Sequence, residues 1–330
     1  MLTTDNHLIK ILEKVSVIYS PPTKPKRGHP YLYSELVMLR VFLLMVLKRI
    51  KEFAALYRYL QAHPALLSAC GLDQMPDEST LRKRLKKLKP VVKHEIRAWA
   101  IELIKRGITS AEVVSVDKKM ILAQGPLWHQ ADRQRKTIPD GLRGVDRDSS
   151  WSKSHYRGWV QGYASHIAVT ATPGLPIAPV WSDFTENTAP EAKIARQLGN
   201  SLPDEVKKVL GDTHYDDPKL RDEIERYEKH LLERCLIVPI KVKKRTKPKR
   251  IRYASLYENN RSVYARRKVS IEPFFDRLDQ CFDIEPAWMK GLANNASLGV
   301  LWVAAYQLMM IYLHEQGENP EHVKQLIDIL

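Results

Sequence analysis

The sequence predicts a mixed β-sheet flanked by helices and preceded by an all-α region, an α/β fold class. Up to about residue 110 the apolar residues recur only at helical spacing, with no strand pattern. From Val113 onward, short β-branched runs alternate with charged helical segments in the order β, β, β, α, β, α, β, α. Across all 330 residues, 44% are hydrophobic, which is enough to build a core.

The elements follow in order. Ser34 to Lys48 has helical apolar spacing, with Ser34 placed to cap it. Ile50 to Gln61 continues with Phe53, Leu56, Tyr57 and Leu60 on one stripe, and a short piece from Pro64 to Cys70 ends at Gly71. Asp77 or Ser79 can cap a helix running to about Leu88, where Pro90 is expected to stop it; a longer helix covers roughly Val91 to Arg106. VVSVD (113–117) is a strand that MIL (120–122) extends or returns. Residues 123–155 are polar and read as a long loop, a length that usually signals function or mobility.

Residues 159–171 form a strand, Pro173-Gly174 a turn, and residues 176–182 its hairpin partner. Ala189 to Leu198 is a helix, residues 206–212 a strand, Asp217 to Arg234 a charged helix and residues 235–241 a buried strand. A basic linker over 241–253 leads to a helix from about Val263 to Phe282, kinked at Pro273 or starting late near Ser270. Asn295 to Leu313 is an apolar helix over the core, and residues 316–330 are expected to be a tail.

Several classes are excluded. Cys70, Cys235 and Cys281 form neither a disulfide framework nor a CxxC zinc pattern, which fits a reducing cytosol. No signal peptide is expected from MLTTDNHLIKILEK, and no membrane role, since Arg40 and Gln307 interrupt the longest apolar runs. The positive charge is uneven. Residues 1–110 hold 20 Lys+Arg against 9 Asp+Glu, a net of +11, whereas residues 111–330 hold 33 against 29, a net of +4. The first third would attract a polyanion such as nucleic acid.

Asp117 ends the first strand, Asp212 ends the fourth, and Glu272 lies on the helix after the last strand. Three converging carboxylates repel one another unless a divalent cation sits between them. Magnesium suits such hard oxygen ligands, and two ions about 4 Å apart can drive an in-line phosphoryl displacement. Lys268, one turn before Glu272, could neutralise a phosphate or orient the acid. Each acid alone is more often a turn or surface residue than a ligand.

Together these segments resemble the catalytic core of bacterial insertion-sequence transposases of the DDE type. VVSVDKKMI resembles the strand carrying the first Asp, and HIAVTATPGLPIAPVWSDFTENTAPEAK the hairpin after it. VLGDTHYDD resembles the second-Asp motif and YARRKVSIEPFFDRL the Glu helix, so that the likeness spans about residues 110–315. The chain departs from the family pattern where Lys268 replaces an Arg, Tyr264 is displaced by one residue, and Asp279 replaces a downstream Lys.

The resemblance implies an RNase H-like catalytic domain over 111–315 behind a helical DNA-binding domain over 1–110. It implies DNA cleavage and strand transfer with two Mg2+ or Mn2+ ions held by Asp117, Asp212 and Glu272. A homodimer or larger assembly on double-stranded DNA is expected, in the bacterial cytoplasm at the nucleoid. A magnesium-dependent nuclease of the same fold, or a non-catalytic DNA-binding derivative, remain the alternatives.

STLRKRLKKL is similar to the amino-terminal helical domain such enzymes use on inverted repeats. Thr80, Arg82 and Lys83 are placed as base readers, and Arg84, Lys86 and Lys87 as backbone contacts. Eight of the twelve residues from Lys241 to Arg252 are basic. Lys243, Lys244, Arg245, Lys247, Lys249 and Arg250 either clamp phosphates near the scissile bond or form a solvated linker, and Arg266 and Arg267 join the DNA-contacting set. Trp151 and His155, among arginines in the long loop, suit unstacked bases, whereas Trp159 is assigned to the core.

Overall fold

The computed structural model describes residues 4–21, 32–127, 141–154, 156–225, 234–240, 242 and 247–330. Six helices come first: α1 (Thr4–Ile18), α2 (Glu35–Leu47), α3 (Phe53–Ala62), α4 (Pro64–Ala69), α5 (Glu78–Leu85) and α6 (Lys89–Lys105). Ser34 Oγ accepts from Val37 N at 3.2 Å and caps α2 as expected. Asp77, not Ser79, caps α5, accepting from Thr80 N at 2.9 Å. The expected set lacked α1, whose Leu8, Ile11, Leu12 and Val15 form a buried stripe. Pro90 opens α6 rather than merely stopping α5, because the N–H it lacks has no partner in a first turn anyway.

The sheet consists of β1 (Val113–Leu122), β2 (Ser150–Ser154), β3 (Gly158–Thr170), β4 (Pro179–Glu186), β5 (Lys208–Leu210) and β6 (Cys235–Ile237). VVSVD and MIL are one continuous strand. β3 runs antiparallel to β1, while β5 lies parallel to β1 on its other side and β6 parallel to β5. The far edge of β3 is shared, with β2 pairing residues 158–162 and β4 residues 163–169. This is the mixed, RNase H-like sheet that was expected.

Between and after the strands come α7 (Glu191–Ala195), α8 (Leu198–Ser201), α9 (Pro218–Glu225), α10 (Pro248–Asn259), α11 (Arg261–Tyr264), α12 (Arg266–Phe282), α13 (Leu292–Glu315) and α14 (Val323–Ile329). Pro273 sits inside an unbroken α12. The carbonyl it leaves without an intrahelical donor is that of Val269, an exposed residue, so water can serve it.

Three expectations need correction. The segment 123–155 is not all loop, since Ser150–Ser154 pairs with β3 and finishes its edge. The basic linker over 241–253 turns helical at Pro248, where proline again suits a helix start. Residues 316–330 are not a loose tail, because α14 buries Val323, Leu326 and Ile327 in the main core, packed on α12 and α13.

α13 explains how the helical region and the sheet join. It is apolar all round, buried along nearly its whole length, and touches α1, α2, α5, α6 and β4. By length and composition it could cross a membrane, yet here its apolar stretch is wholly buried inside the protein. Its central glutamine ties the junction together, as Gln307 Nε2 donates to Ile96 O on α6 at 3.0 Å and to Pro179 O on β4 at 2.8 Å. Gly299 is required there, since a Cβ would fall 2.1 Å from the Phe184 ring of β4. α6 also grips β4 through charge, with Lys93 Nζ 2.7 Å and Lys89 Nζ 2.5 Å from the buried Asp183 carboxylate. Burial alone would raise the Asp183 pKa, but the two ammonium groups hold it below the usual carboxylate value.

Candidate active site

Strand register brings the two aspartates together. Ser115 on β1 pairs with Leu210 on the parallel β5, so Asp117 and Asp212 each stand two residues beyond the same pair. Parallel neighbours lie about 4.8 Å apart, so the two side chains emerge side by side. The chain must turn sharply after Leu210 to present Asp212. It does so in a 3-10 turn over Thr213–Tyr215, with Asp212 Oδ1 accepting from His214 N at 2.8 Å. The turn folds the Tyr215 ring back onto Gly211, where a Cβ would lie 2.8 Å from Tyr215 Cβ, so glycine permits the close approach.

Glu272 arrives on α12, which is fixed to the sheet by a buried hydrogen bond. Ser270 Oγ donates to Ser115 Oγ at 2.9 Å, two residues from Asp117 on one side and from Glu272 on the other. Arg267, one turn earlier, contacts Asp117 Oδ2 with its guanidinium and lies 4.0 Å from Glu272 Oε1. One guanidinium therefore spans the first and third predicted acids. Lys268, expected to neutralise a phosphate or orient the acid, is exposed, and it is Arg267 that reaches the carboxylates. The buried stripe of α12 runs through Ser270, Ile271, Phe274 and Leu278, and its continuation one turn back is position 267.

Another acid joins Asp212. Glu191, in the first turn of α7, has ligand atoms within 4.8 Å of those of Asp212 and His214. It also pairs with Lys118 at 2.8 Å. Sequence reasoning passed over Glu191 because it lies in a polar stretch after the hairpin. The only signal was Pro190-Glu191 at a helix start, which many surface helices share.

Electrostatics follow from the crowding. Burial pushes the Asp117 carboxyl up to about 6, opposed by Arg267 and the Lys118 amide and assisted by Asp212 and Glu191. His214 shifts upward through its 3.1 Å contact with Asp212 Oδ2. His166, on the neighbouring strand, is buried and hydrogen-bonded to Thr185 Oγ1 at 3.0 Å, and burial pushes it down to about 3. Its role is structural. The convergent donors are carboxylate oxygens with one imidazole, a set that fits a hard divalent cation.

The family model described as Transposase DDE domain matches residues 108–308, more than half of the chain, and a Transposase domain (DUF772) matches residues 4–87. The chain belongs to the DDE transposase family. No curated protein gives a significant match in sequence. Among solved structures, the chain aligns with a piggyBac transposase synaptic complex with hairpin DNA at 8% identity, covering 98% of this chain and 75% of that one, with a TM-score of 0.41. It also aligns with a Mos1 transposase paired-end complex with left transposon end at 14% identity, covering 94% and 82%, with a TM-score of 0.22. The transposase is a metal-dependent enzyme of DNA strand cleavage and transfer.

The predicted DNA-contacting residues of the transposase divide into several groups. Lys83, Lys86 and Lys87 are exposed on and just after α5. Arg82 is also exposed but pairs with Glu78 and lies 5.3 Å from the Phe53 ring centroid. Thr80 donates its hydroxyl to Asp77 Oδ2 at 2.8 Å and so belongs to the helix cap. Arg84 departs from expectation: it is buried and donates to Tyr33 O at 2.7 Å, stitching α5 to the start of α2. The helix face of α5 that carries Leu81 and Leu85 takes Arg84 inward with it.

Lys243, Lys244, Arg245 and His155 lie outside the described residues. Lys247 precedes α10, Lys249 approaches Asp222 at 3.8 Å, and Arg250 contacts Asp216, four residues beyond Asp212. The start of α10 is thus held by ion pairs to Asp216 and Asp222. Arg266 is half-buried next to the hairpin turn. Trp151 pairs with Gln161 on β3, six residues along that strand from Ile167, the partner of Asp117. At about 3.3 Å per residue that is roughly 20 Å from the acids, so Trp151 does not border them. Trp159, assigned to the core, is 49% exposed.

Proposed function

We propose that this transposase cuts DNA at the inverted repeats ending a mobile element and joins the freed 3′-hydroxyl to target DNA. One observation carries the reading: Asp117 and Asp212 emerge side by side from parallel strands, with Glu272 tied to Asp117 through Arg267. Asp117, Asp212 and Glu272 would hold two Mg2+ ions, or Mn2+ in their place, with Glu191 beside Asp212. Such ions activate an attacking oxygen and stabilise the leaving one in an in-line displacement. The chain's own residues place the acids in register, keep Asp117 partly shielded from water, and supply the basic surface that brings phosphates to them. Lys268, exposed one turn before Glu272, is positioned to meet a phosphate rather than a carboxylate.

Residues 1–110 form the part that grips transposon ends, and 111–315 the part that cuts. Exposed Lys83, Lys86 and Lys87 on one side, with Lys247 and Lys249 on the other, would hold the backbone, and a homodimer would pair two ends. Its place of action is where chromosomal DNA is, in the bacterial cytoplasm. A supercoiled-target assay with pre-cleaved ends tests the reading. Joined products are expected, and cutting without joining would favour a nuclease.

A second test separates surface lysines from the buried arginine. The double substitution Lys86→Gln, Lys87→Gln should flatten the slope of log binding constant against log salt by about 2, at unchanged thermal stability. Arg84→Ala should leave that slope alone and destabilise the fold by about 1–2 kcal/mol, the scale of a lost charged hydrogen bond. Salt-titrated duplex binding and thermal melting check both.

A further inference from the structure

The acids of the site already face a cation supplied by the chain. The Arg267 side chain is only 13% exposed, touches Asp117 Oδ2, and stands 4.0 Å from Glu272 Oε1. Its Nε has no hydrogen-bond partner among the described residues. A buried guanidinium with five donors usually takes a bidentate carboxylate or a full set of acceptors. This one straddles two carboxylates from different elements and leaves a donor unused. Nor is its place accidental, since the Ser270–Ser115 bond that sets Glu272 against β1 sets Arg267 there as well.

A guanidinium and a divalent ion draw on the same carboxylate charge and repel each other, so Arg267 held against Asp117 Oδ2 opposes a cation there. We infer that Arg267 is a latch on the metal site, a positioning residue that must release Asp117 before a divalent ion is fully held. The inference rests on the reading of Asp117 as a metal ligand. The latch lowers the affinity of the protein for metal when no DNA is bound. A phosphate arriving between the acids offers the guanidinium better acceptors than the edge of one carboxylate, including one for the idle Nε. Release from Asp117 is then compensated, so DNA and metal favour each other's binding by the same factor.

The test measures Mn2+ alone binding to the full chain, by electron paramagnetic resonance of free Mn2+ or by calorimetry. Arg267→Gln should bind Mn2+ about tenfold more tightly than the wild type, since a unit positive charge beside the ligands is gone. Arg267→Lys keeps the charge on a head that cannot straddle both carboxylates, and should bind about threefold more tightly. A purely structural role for Arg267 would loosen the site and weaken binding, so the direction of change discriminates. Asp117→Asn should lose Mn2+ binding. If it binds as the wild type does, the ligand assignment falls and takes the latch with it. If it loses binding while Arg267→Lys and a folded Arg267→Gln gain nothing, the latch alone is overturned.

Discussion

Asp117→Asn, Asp212→Asn and Glu272→Gln should each cut the rate of end cleavage by about a thousandfold or more, equivalent to roughly 4 kcal/mol of barrier. Binding of transposon-end DNA should stay within about threefold of wild type, because basic surface rather than the acids supplies most of that affinity. The amide replacements keep shape and hydrogen bonding while removing the ligand charge, so the loss reports on metal binding rather than on folding. Glu191→Gln should lose less, about tenfold, because Glu191 lies with Asp212 but shares its charge with Lys118. Single-turnover cleavage of a labelled end, measured alongside a gel-shift titration, reads both quantities. Magnesium-dependent cleavage surviving in all three main variants would refute the assignment.

Glu95→Gln should stabilise the fold, and only at higher pH. Glu95 is fully buried on α6, where Oε2 accepts from Ser20 N at 3.1 Å and Oε1 has no partner among the described residues. Burial pushes its carboxyl from 4.5 up to about 7, with the Ser20 amide and Trp99 opposing. The folded chain therefore keeps this proton to about pH 7, and the unfolded chain releases it near 4.5. Between those values the folded state binds more protons, so stability falls as pH rises and levels off above about 7. Glutamine is neutral throughout and can still accept from Ser20. At pH 8 the variant should gain about 3 kcal/mol over wild type, and at pH 4 almost nothing. Denaturant unfolding at the two pH values measures the difference, and an equal effect at both would refute the cause given.

Much of this molecule was legible in its residues. The two apolar runs that lead into Asp117 and Asp212 are a pattern that survives without coordinates, although β1 continues past Asp117 to Leu122 and β5 stops at Leu210, two residues short of Asp212. So is the stripe of Ile271, Phe274, Leu278 and Phe282 that turns α12 toward the sheet. What escaped was set by tertiary contact. Lys268 rather than Arg267 drew attention because it sits four residues before Glu272, yet Glu272 faces solvent, and position 267 continues the buried face. Glu191 gained meaning only when β5 delivered Asp212 beside it. Arg84 reads like its basic neighbours, and nothing local distinguishes the one whose carbonyl acceptors lie fifty residues away. The strand Ser150–Ser154 is short and polar, and exists because β3 extends past β4 and leaves an edge to complete.

α13 packs against α2, α5 and α6 and also against β4, so among the described residues the helical region and the sheet share one core. If Lys83, Lys86 and Lys87 seat a duplex as proposed, that duplex would meet the acids at an offset set by this core, like stock clamped against the fence of a saw. On that proposal the number of base pairs from grip to cut should follow this packing and be insensitive to lengthening the connection between α6 and β1. Moving the cut would take a repacked helix, not a longer tether.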